Sequence, residues 1–449
     1  MILGLDFGTS GVRACLRQAD DIEFYHLDYP SHAFLSQLSS TTQHSQSPQD
    51  WIAALTALLL QIPQHKRQKI AHIVLDATSS TVLLAQPHKD TAKPLTEALM
   101  YNDQRAKSQA IAIEQHLKKN LAQPLLNNPI STVLGPSSTL AKVLWLKQTL
   151  TDTANLGTQK PIICHQIDWI NGYLTGQYQI TDENNALKLG YNPITRSWPQ
   201  WILEWLHPLK PPQVRPAGHF LATIRSKIAQ QFQIPKHCRI YCGTTDSIAA
   251  FLATGAHQQG DAVTSLGTTL AIKQLSDRPI YQADAGIYSH RLKDLWLIGG
   301  ASNTGGGVLL KYFEYNTLIE KLNKLIRQIK ADQIKIPTGL DYYPLLRTGE
   351  RFPIFDPNLA PKLTPKPNRS EIYLLGIIEG LVNIEKLAYQ KLNSNKAPTN
   401  LKRIFSVGGG TKNPVWQYLR DKTLGQTFSA KMQTPQQTEA AFGATQLIL

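Results

Sequence analysis

The chain carries nearly the same short phrase twice, once in each half: Leu3–Arg13 reads LGLDFGTSGVR and Val263–Lys273 reads VTSLGTTLAIK. Each copy starts as an apolar run of β type and breaks at a glycine, Gly8 or Gly267. Each then shows two hydroxyl residues, Thr9 and Ser10 or Thr268 and Thr269, and resumes as a strand. A hairpin with such a tip suits phosphate, because glycine lets the backbone approach a ligand, turn N–H groups converge on oxygen, and short hydroxyls add donors without bulk. One copy alone could equally be an ordinary turn. Two copies, one in each half, point to a phosphate cleft.

At 449 residues the chain exceeds what one core usually supports, so two domains of about 200 residues each are expected. Its 42% hydrophobic and 17% charged residues fit a soluble globular protein. Met1–Leu5 lead straight into a strand pattern without the segments of a secretion leader, which predicts a cytoplasmic protein. The most membrane-like run, Trp51–Ile62, is about 12 residues against the roughly 20 a spanning helix needs, so no membrane role follows. Cys15, Cys164, Cys238 and Cys242 show no CxxC spacing and no disulfide framework. Cys164 adjoins His165, but no second ligand pair is near, which favours a buried thiol beside an ordinary histidine over a metal site. Lys and Arg outnumber Asp and Glu by 46 to 32, a net charge of +14. These basic residues are scattered, with no basic arm and no aromatic-interleaved stripe, so no nucleic-acid partner is expected. Diffuse attraction for anionic small molecules fits better.

Along the chain, the polar stretch Ser36–Pro48 reads as a surface loop, Pro48–Ile62 as a helix and Ile70–Asp76 as a strand before a polar turn. From about Asn120 to Pro235, helical stretches alternate with Pro-rich connections. Arg239–Cys242 reads as a strand, followed by a turn and a helix over Ser247–Ala256. Tyr373–Leu392 has the spacing of a long amphipathic helix, and Leu401–Val407 that of a strand. Gly408–Gly410 then make a turn, and Asn413-Pro414 open a helix as N-cap and first residue, with Gly425 expected to end it. Strand, glycine triplet and capped helix form a nucleotide-type arrangement, although ligand-free turns of this kind are common.

Asp6 stands two residues before Gly8 on an apolar strand, where a carboxylate needs a partner or an ion. A phosphate-bound Mg²⁺ takes few protein carboxylates, so one aspartate suffices; capping of the turn is the alternative. Asp246 follows Thr244 and Thr245 at the mouth of a helix. There it could cap the helix or act as general base for an alcohol, the one proton acceptor that phosphoryl transfer asks of the protein. No GxxxxGK[ST], no GxGxxG opening a βαβ unit and no HRD or DFG set occurs, so P-loop, Rossmann and protein-kinase architectures lack their signatures.

Taken together, DFGTSGVR (Asp6–Arg13), MYNDQRA (Met100–Ala106), DWINGYLTG (Asp168–Gly176), GTTDSIAAFLATGA (Gly243–Ala256), SLGTT (Ser265–Thr269) and VGGGTKNPVWQYL (Val407–Leu419) resemble the FGGY carbohydrate kinases, in order and over essentially the whole chain. Within that family, TDENNALKLGY, GTTDSIAAF and LDYYPLLRTGERFPIFDP look most like the compact D-ribulose kinases, also described as xylulose kinase-like. The resemblance implies an α/β, two-domain actin-like or hexokinase-like ATPase fold of duplicated ribonuclease H-like domains, with ATP and sugar in the interdomain cleft. It sets a sugar-binding domain at 1–253 and a nucleotide-binding domain at 254–449, with the final helix, about 435–449, returning to the first. Monomer and homodimer are both compatible with it.

Carried over by position, Asp246 resembles the catalytic base and a sugar contact, and Asp6 the Mg²⁺ holder and a second sugar contact, with Thr9 and Ser10 near the transferred phosphate. Gly267 and Thr268, with Gly305 and Gly306, would meet the other side of the phosphate chain. Gly409, Gly410, Asn413 and Trp416 would form the adenosine pocket, Trp416 as an aromatic wall. Where related kinases carry a Met-His-Gly or Arg-Glu type sugar contact, this chain has Ala77-Thr78-Ser79-Ser80-Thr81, which makes Ser79 the expected sugar contact. Asp103 and Arg105 keep a WxDxR-type pattern with Tyr101 in place of Trp, as an ion pair or a sugar contact. The implied reaction is ATP-dependent phosphorylation of a ketopentose, D-ribulose to D-ribulose 5-phosphate. D-xylulose is the alternative substrate, and a sugar-independent actin- or chaperone-like ATPase or scaffold the alternative class. The two phrases are not equivalent: Asp6 precedes the first glycine and Ser265 the second, so only the first hairpin can hold the metal.

Overall fold

Both doubled phrases fold as antiparallel hairpins closed at their glycines. In the computed structural model, which describes residues 1–30, 42–120, 128–153, 160–394 and 400–449, β1 (Ile2–Phe7) and β2 (Gly11–Gln18) pair with Asp6 opposite Arg13. Residues 31–41, most of the expected Ser36–Pro48 loop, lie outside the described part. The chain divides into two units: nearly all of the described residues to Ala253 together with Gln437–Leu449, and Thr254–Gln436.

In the first unit, β3 (Asp21–Asp28) extends the hairpin, and α1 (Pro48–Gln61) starts at an Ser47 N-cap and buries Trp51, Leu55, Leu58 and Leu59. β4 (His72–Ala77) lies parallel to β1 with Asp76 in register with Asp6. β5 (Val82–His88) leaves that sheet for a second, smaller one. Next come α2 (Thr139–Thr153), β6 (Ile162–His165), which pairs with β5, and α3 (Gln166–Thr175). β7 (Phe220–Thr223) and β8 (Arg239–Thr245) complete a six-stranded sheet of order β7-β8-β4-β1-β2-β3. β1 and β4 are buried on both faces, which explains their near-continuous apolar runs.

β8 corrects one expectation. Gly243–Thr245, read above as a turn, continues the strand, and the helix α4 (Asp246–Ala253) starts directly at Asp246. A side chain on Gly243 would overlap the Leu75 carbonyl, so this glycine serves the close approach of β8 to β4 at a shift of register between Tyr241 and Thr244.

In the second unit, β9 (Asp261–Leu266) and β10 (Leu270–Ser276) form the repeated hairpin, followed by β11 (Tyr288–Leu292) and β12 (Leu295–Ala301). The helices α5 (Gly306–Tyr312), α6 (Tyr315–Lys330) and α7 (Ser370–Leu392) follow. β13 (Arg403–Val407), α8 (Pro414–Phe428) and β14 (Lys431–Gln433) close the unit, whose six-stranded sheet has the order β11-β12-β10-β9-β13-β14. Asn413 caps α8 with Pro414 behind it, but Gly425 does not end the helix. It sits inside the last turn, its carbonyl accepts from Ser429 N–H, and Ser429 at φ 54° is the left-handed residue that stops the helix.

α9 (Ala440–Thr445) returns to the first unit and packs on β1, β2 and α4. Side chains on Gly4 or Gly443 would overlap the carbonyls of Ala441 and Ala249, so the two glycines set how closely α9 lies on the sheet and on α4.

The core of the second unit contains a fully buried ion pair. Arg420 Nε and Nη2 donate to Glu385 Oε2 and Oε1 at 2.7 and 2.8 Å, Thr264 Oγ1 donates to the same carboxylate at 2.6 Å, and Arg420 Nη1 reaches Ser406 Oγ at 2.8 Å. This network joins α7, α8, β9 and β13. Removing one partner strands the other charge, so Arg420→Ala is expected to destabilise the second unit by about 3–5 kcal/mol in chemical denaturation. A loss below about 1 kcal/mol would mean that water reaches the orphaned carboxylate.

Candidate active site

Three carboxylates stand at the carboxyl ends of three adjacent parallel strands of the first unit: Asp246 directly after β8, Asp76 on β4 and Asp6 on β1. In open α/β sheets, that edge is where ligands bind. Asp6 is buried, and its Oδ2 accepts from Arg13 Nη1 at 3.3 Å. Burial pushes its carboxyl above the usual aspartate range, opposed by a hydrogen bond from Asp76 and by the Arg13 guanidinium. Asp76 is fully buried, and no protein group other than the Asp6 carboxyl reaches its oxygens. Burial holds it protonated far above the usual range, and the charges of Asp6 and Asp246 push the same way. Of the two carboxyls, Asp76 is the one that the fold pushes further toward its protonated form.

Asp246 is half-buried at the start of α4, and its Oδ1 accepts from Ser247 N–H at 2.6 Å. Next to it, Thr244 Oγ1 accepts from Asn184 Nδ2 at 3.1 Å. The tip of the first hairpin is tied by its backbone: Gly8 N–H donates to Gly11 O at 3.0 Å, and Gln46 Nε2 donates to Thr9 O at 2.9 Å. The Thr9 side chain is left half-buried and that of Ser10 exposed.

Behind β4 the turn Thr78–Thr81 is pinned by Gln166, whose Oε1 accepts from Thr78 N–H at 3.1 Å and from Thr78 Oγ1 at 2.6 Å. Ser80 is left-handed, at φ 64°. Ser79 Oγ meets no protein partner, as a hydroxyl kept for a ligand would. The Asp103 carboxylate, by contrast, is fully engaged. Arg105 Nε lies 3.1 and 3.0 Å from its two oxygens, and His44 N–H donates to Oδ2 at 2.7 Å, so Asp103 and Arg105 form an ion pair internal to the fold. Cys164 and His165 are likewise internal: Cys164 Sγ donates to Tyr178 O, and His165 Nδ1 lies 2.7 Å from Asp168 Oδ2.

The second unit holds a pocket of about 520 Å³ that gathers Gly267, Thr268, Gly306, Gly409, Gly410, Asn413 and Trp416. Gly305 is not in its lining; it lets the start of α5 lie against the hairpin, where Gly306 N–H donates to Gly267 O at 2.8 Å. Asn413 Oδ1 is committed to capping α8, accepting from Val415 and Trp416 N–H at 3.1 and 3.0 Å, which leaves only its Nδ2 for a ligand. Trp416 is buried rather than an open wall: its ring edge underlies Gly410, where a Cβ would come within 2.8 Å of it. The wall that the sequence reading missed is α6, through Tyr315, Leu318, Ile319 and Leu322, with Asn323 beside them. Tyr315 and Ile319 are 63% and 40% exposed, and such apolar residues off the buried stripe of an amphipathic helix were the available signal.

Among the described residues no group of three or more His, Cys, Asp or Glu is arranged to hold a metal by itself. An oxygen-seeking Mg²⁺ at Asp6 fits this donor set only as a cation held mainly by phosphate and water, since a single anionic carboxylate faces the Gly8 turn. Asp76 escaped the sequence reading because its importance lies in register with Asp6, which one strand cannot reveal.

Residues 1–253, more than half of the chain, match the N-terminal domain of the FGGY family of carbohydrate kinases. The chain belongs to the FGGY family. A xylulose kinase of Haemophilus influenzae is 24% identical over 469 residues, covering 98% of this chain and 88% of its own. A gluconokinase of Bacillus subtilis is 21% identical, covering 98% and 85%. Among solved structures, a ligand-bound xylulose kinase from Lactobacillus acidophilus superposes with a TM-score of 0.78 at 21% identity over 100% of this chain and 88% of that one. Plasmodium falciparum glycerol kinase with ADP gives 0.77 at 16%, over 99% and 88%. These likenesses give the FGGY chain the two-domain α/β ATPase fold expected from its motifs. No helix among its described residues is long and apolar enough to cross a membrane.

Because the fold favours protonated Asp76, a destabilising cost grows as pH rises from the unfolded aspartate range, about 4, through the raised folded value. Asp76→Asn is therefore expected to stabilise the FGGY protein by about 0.5–2 kcal/mol near pH 7.5. The gain should vanish in thermal melts below about pH 4, where the wild-type side chain is protonated in both states. A gain independent of pH would contradict the raised Asp76 carboxyl.

Proposed function

We propose that the chain is an ATP-dependent ketopentose kinase that converts D-ribulose to D-ribulose 5-phosphate. The observation that carries this reading is the half-buried Asp246 carboxylate at the strand edge it shares with Asp6, beside a turn whose Ser79 hydroxyl has no protein partner. In this reading residues 1–253 take the sugar and residues 254–449 the nucleotide, with the closing helix serving the first.

Asp246 accepts the proton of the attacking sugar hydroxyl, whose oxygen forms the new P–O bond as the bond to ADP breaks. Asp246 stands at a helix N-terminus, with Ser247 N–H donating to Oδ1. Asp6 holds Mg²⁺ and contacts the sugar, Thr9 and Ser10 donate to the transferred phosphoryl group, and Ser79 contacts the sugar. Mg²⁺, when bound, neutralises developing phosphate charge. Gly267, Thr268 and Gly306 offer an uncharged clamp for the phosphate chain; Gly409, Gly410 and Asn413 over Trp416, with the apolar face of α6, suit adenosine. D-ribulose is preferred because the hydroxyl-rich turn Thr78–Thr81 stands where the xylulose-type contact would be.

In an ADP-coupled assay with Mg-ATP, D-ribulose is expected to give the highest kcat/KM among C5 ketoses, gluconate and glycerol. Preference for D-xylulose would overturn only the substrate, whereas ATP turnover indifferent to every sugar would favour an ATPase or scaffold. Asp246→Ala is expected to lower kcat by about 10²–10⁴-fold while ATP affinity is retained. Full activity in that variant would remove Asp246 from the mechanism.

A further inference from the structure

Lys142 is a fully buried lysine for which neither stability nor the mechanism above gives a reason. It lies in the first turn of α2, where the helix dipole disfavours a cation, and among the described residues no carboxylate forms an ion pair with it. Burial, helped by the like charge of Lys188, pushes its amino group well below the usual lysine range, and the opposing acidic influence of Asp103 is the smallest of the three, its oxygens already serving Arg105 and His44 N–H. Instead, Lys142 Nζ donates to two backbone carbonyls, those of Ser80 and of Met100, the latter at 2.9 Å.

The Ser80 carbonyl belongs to the turn that carries Ser79, the proposed sugar contact, and the Met100 carbonyl to the turn that leads into the internal Asp103–Arg105 ion pair. Ser80 is the left-handed residue directly after Ser79. Met100 O also accepts from Asp103 N–H at 3.0 Å, so one Nζ joins the Ser79 turn to the start of the Asp103–Arg105 turn. One turn further along the same helix, the Trp145 ring lies 5.1 Å from the Arg105 guanidinium carbon and supports the second turn from the same side. An apolar residue at 142 would fill the space but take the Lys142 donor from the Ser80 carbonyl and leave Met100 O with the Asp103 N–H alone.

We infer that Lys142 is a positioning residue for the sugar: its Nζ clamps the Ser80 and Met100 carbonyls, so that the Ser79 hydroxyl and the Asp103–Arg105 turn are held as one piece. The link to the sugar rests on the proposed function, whereas the clamp itself rests on geometry alone.

The test uses the full-length protein carrying Lys142→Met, which keeps the apolar stem and removes the donors. Amide hydrogen exchange is expected to speed up by about tenfold or more in peptides covering Thr78–Val82 and Met100–Arg105, with the β9–β10 hairpin and α8 unchanged. The KM for D-ribulose should rise by about tenfold while that for ATP stays put. Combined with Ser79→Ala, the losses should fall short of additive, because the clamp acts through Ser79. A core-filling role would instead lower the active fraction and leave both KM values and the exchange pattern unchanged, which would overturn the inference. If wild-type protein phosphorylates no sugar, the proposed function fails, and exchange alone decides the clamp: local loosening retains it, no change overturns it. Lys142→Gln, which keeps one donor, is read in the same way if Lys142→Met does not fold. Failure of both to fold would assign Lys142 to the core and overturn the inference.

Discussion

Like charge gathered at one sheet edge is the constraint around which the first unit is arranged. Asp6, Asp76 and Asp246 end three neighbouring parallel strands, and three anions cannot all be ionised in a site this buried. The structure gives each a different answer. Asp76 keeps a proton, Asp6 leans on Arg13 across the hairpin, and Asp246 sits half-open at a helix N-terminus. Three identical side chains thus stand in three different environments, one fully buried, one buried beside a guanidinium and one half-open. The close approaches at Gly243 and Gly4 serve the same end, since both bring backbone or helix hard against the strands that carry these groups.

The second unit repeats the plan without the charge. β9 pairs antiparallel with β10 and parallel with β13, as β1 does with β2 and β4. At the position of Asp6 stands Ser265, and its register partner, where the first unit has Asp76, is Val407. The same hairpin therefore presents backbone N–H groups and hydroxyls with no anion behind them. That suits contact with a polyanion, which would be repelled by a second carboxylate pair.

What the sequence made legible follows from locality. The hairpins, the Asn413 cap and the α7 helix depend on a few adjacent residues, and their chemistry is written in the string itself. Gly243 and Gly425 misled because a glycine is punctuation only where the backbone needs it; at Gly243 the reason is a neighbouring strand some 170 residues upstream in sequence terms, Leu75. Asp76 was hidden for the same cause, since its meaning is its register with Asp6. The α6 wall was missed because its buried Leu318 and Leu322 look like any core stripe, and only the exposure of Tyr315 and Ile319 marks a binding face.

Buried basic side chains show how differently the two units handle charge. Arg420 is answered in full by Glu385, with hydroxyls from Thr264 and Ser406 completing the set, so this part of the second unit's core is internally neutral. Lys142 has only carbonyl oxygens as partners, and burial without an anion pushes its amino group well below the usual lysine range, so that its position is what these bonds fix. A neutral, over-determined core suits a unit that cradles a ligand with backbone groups.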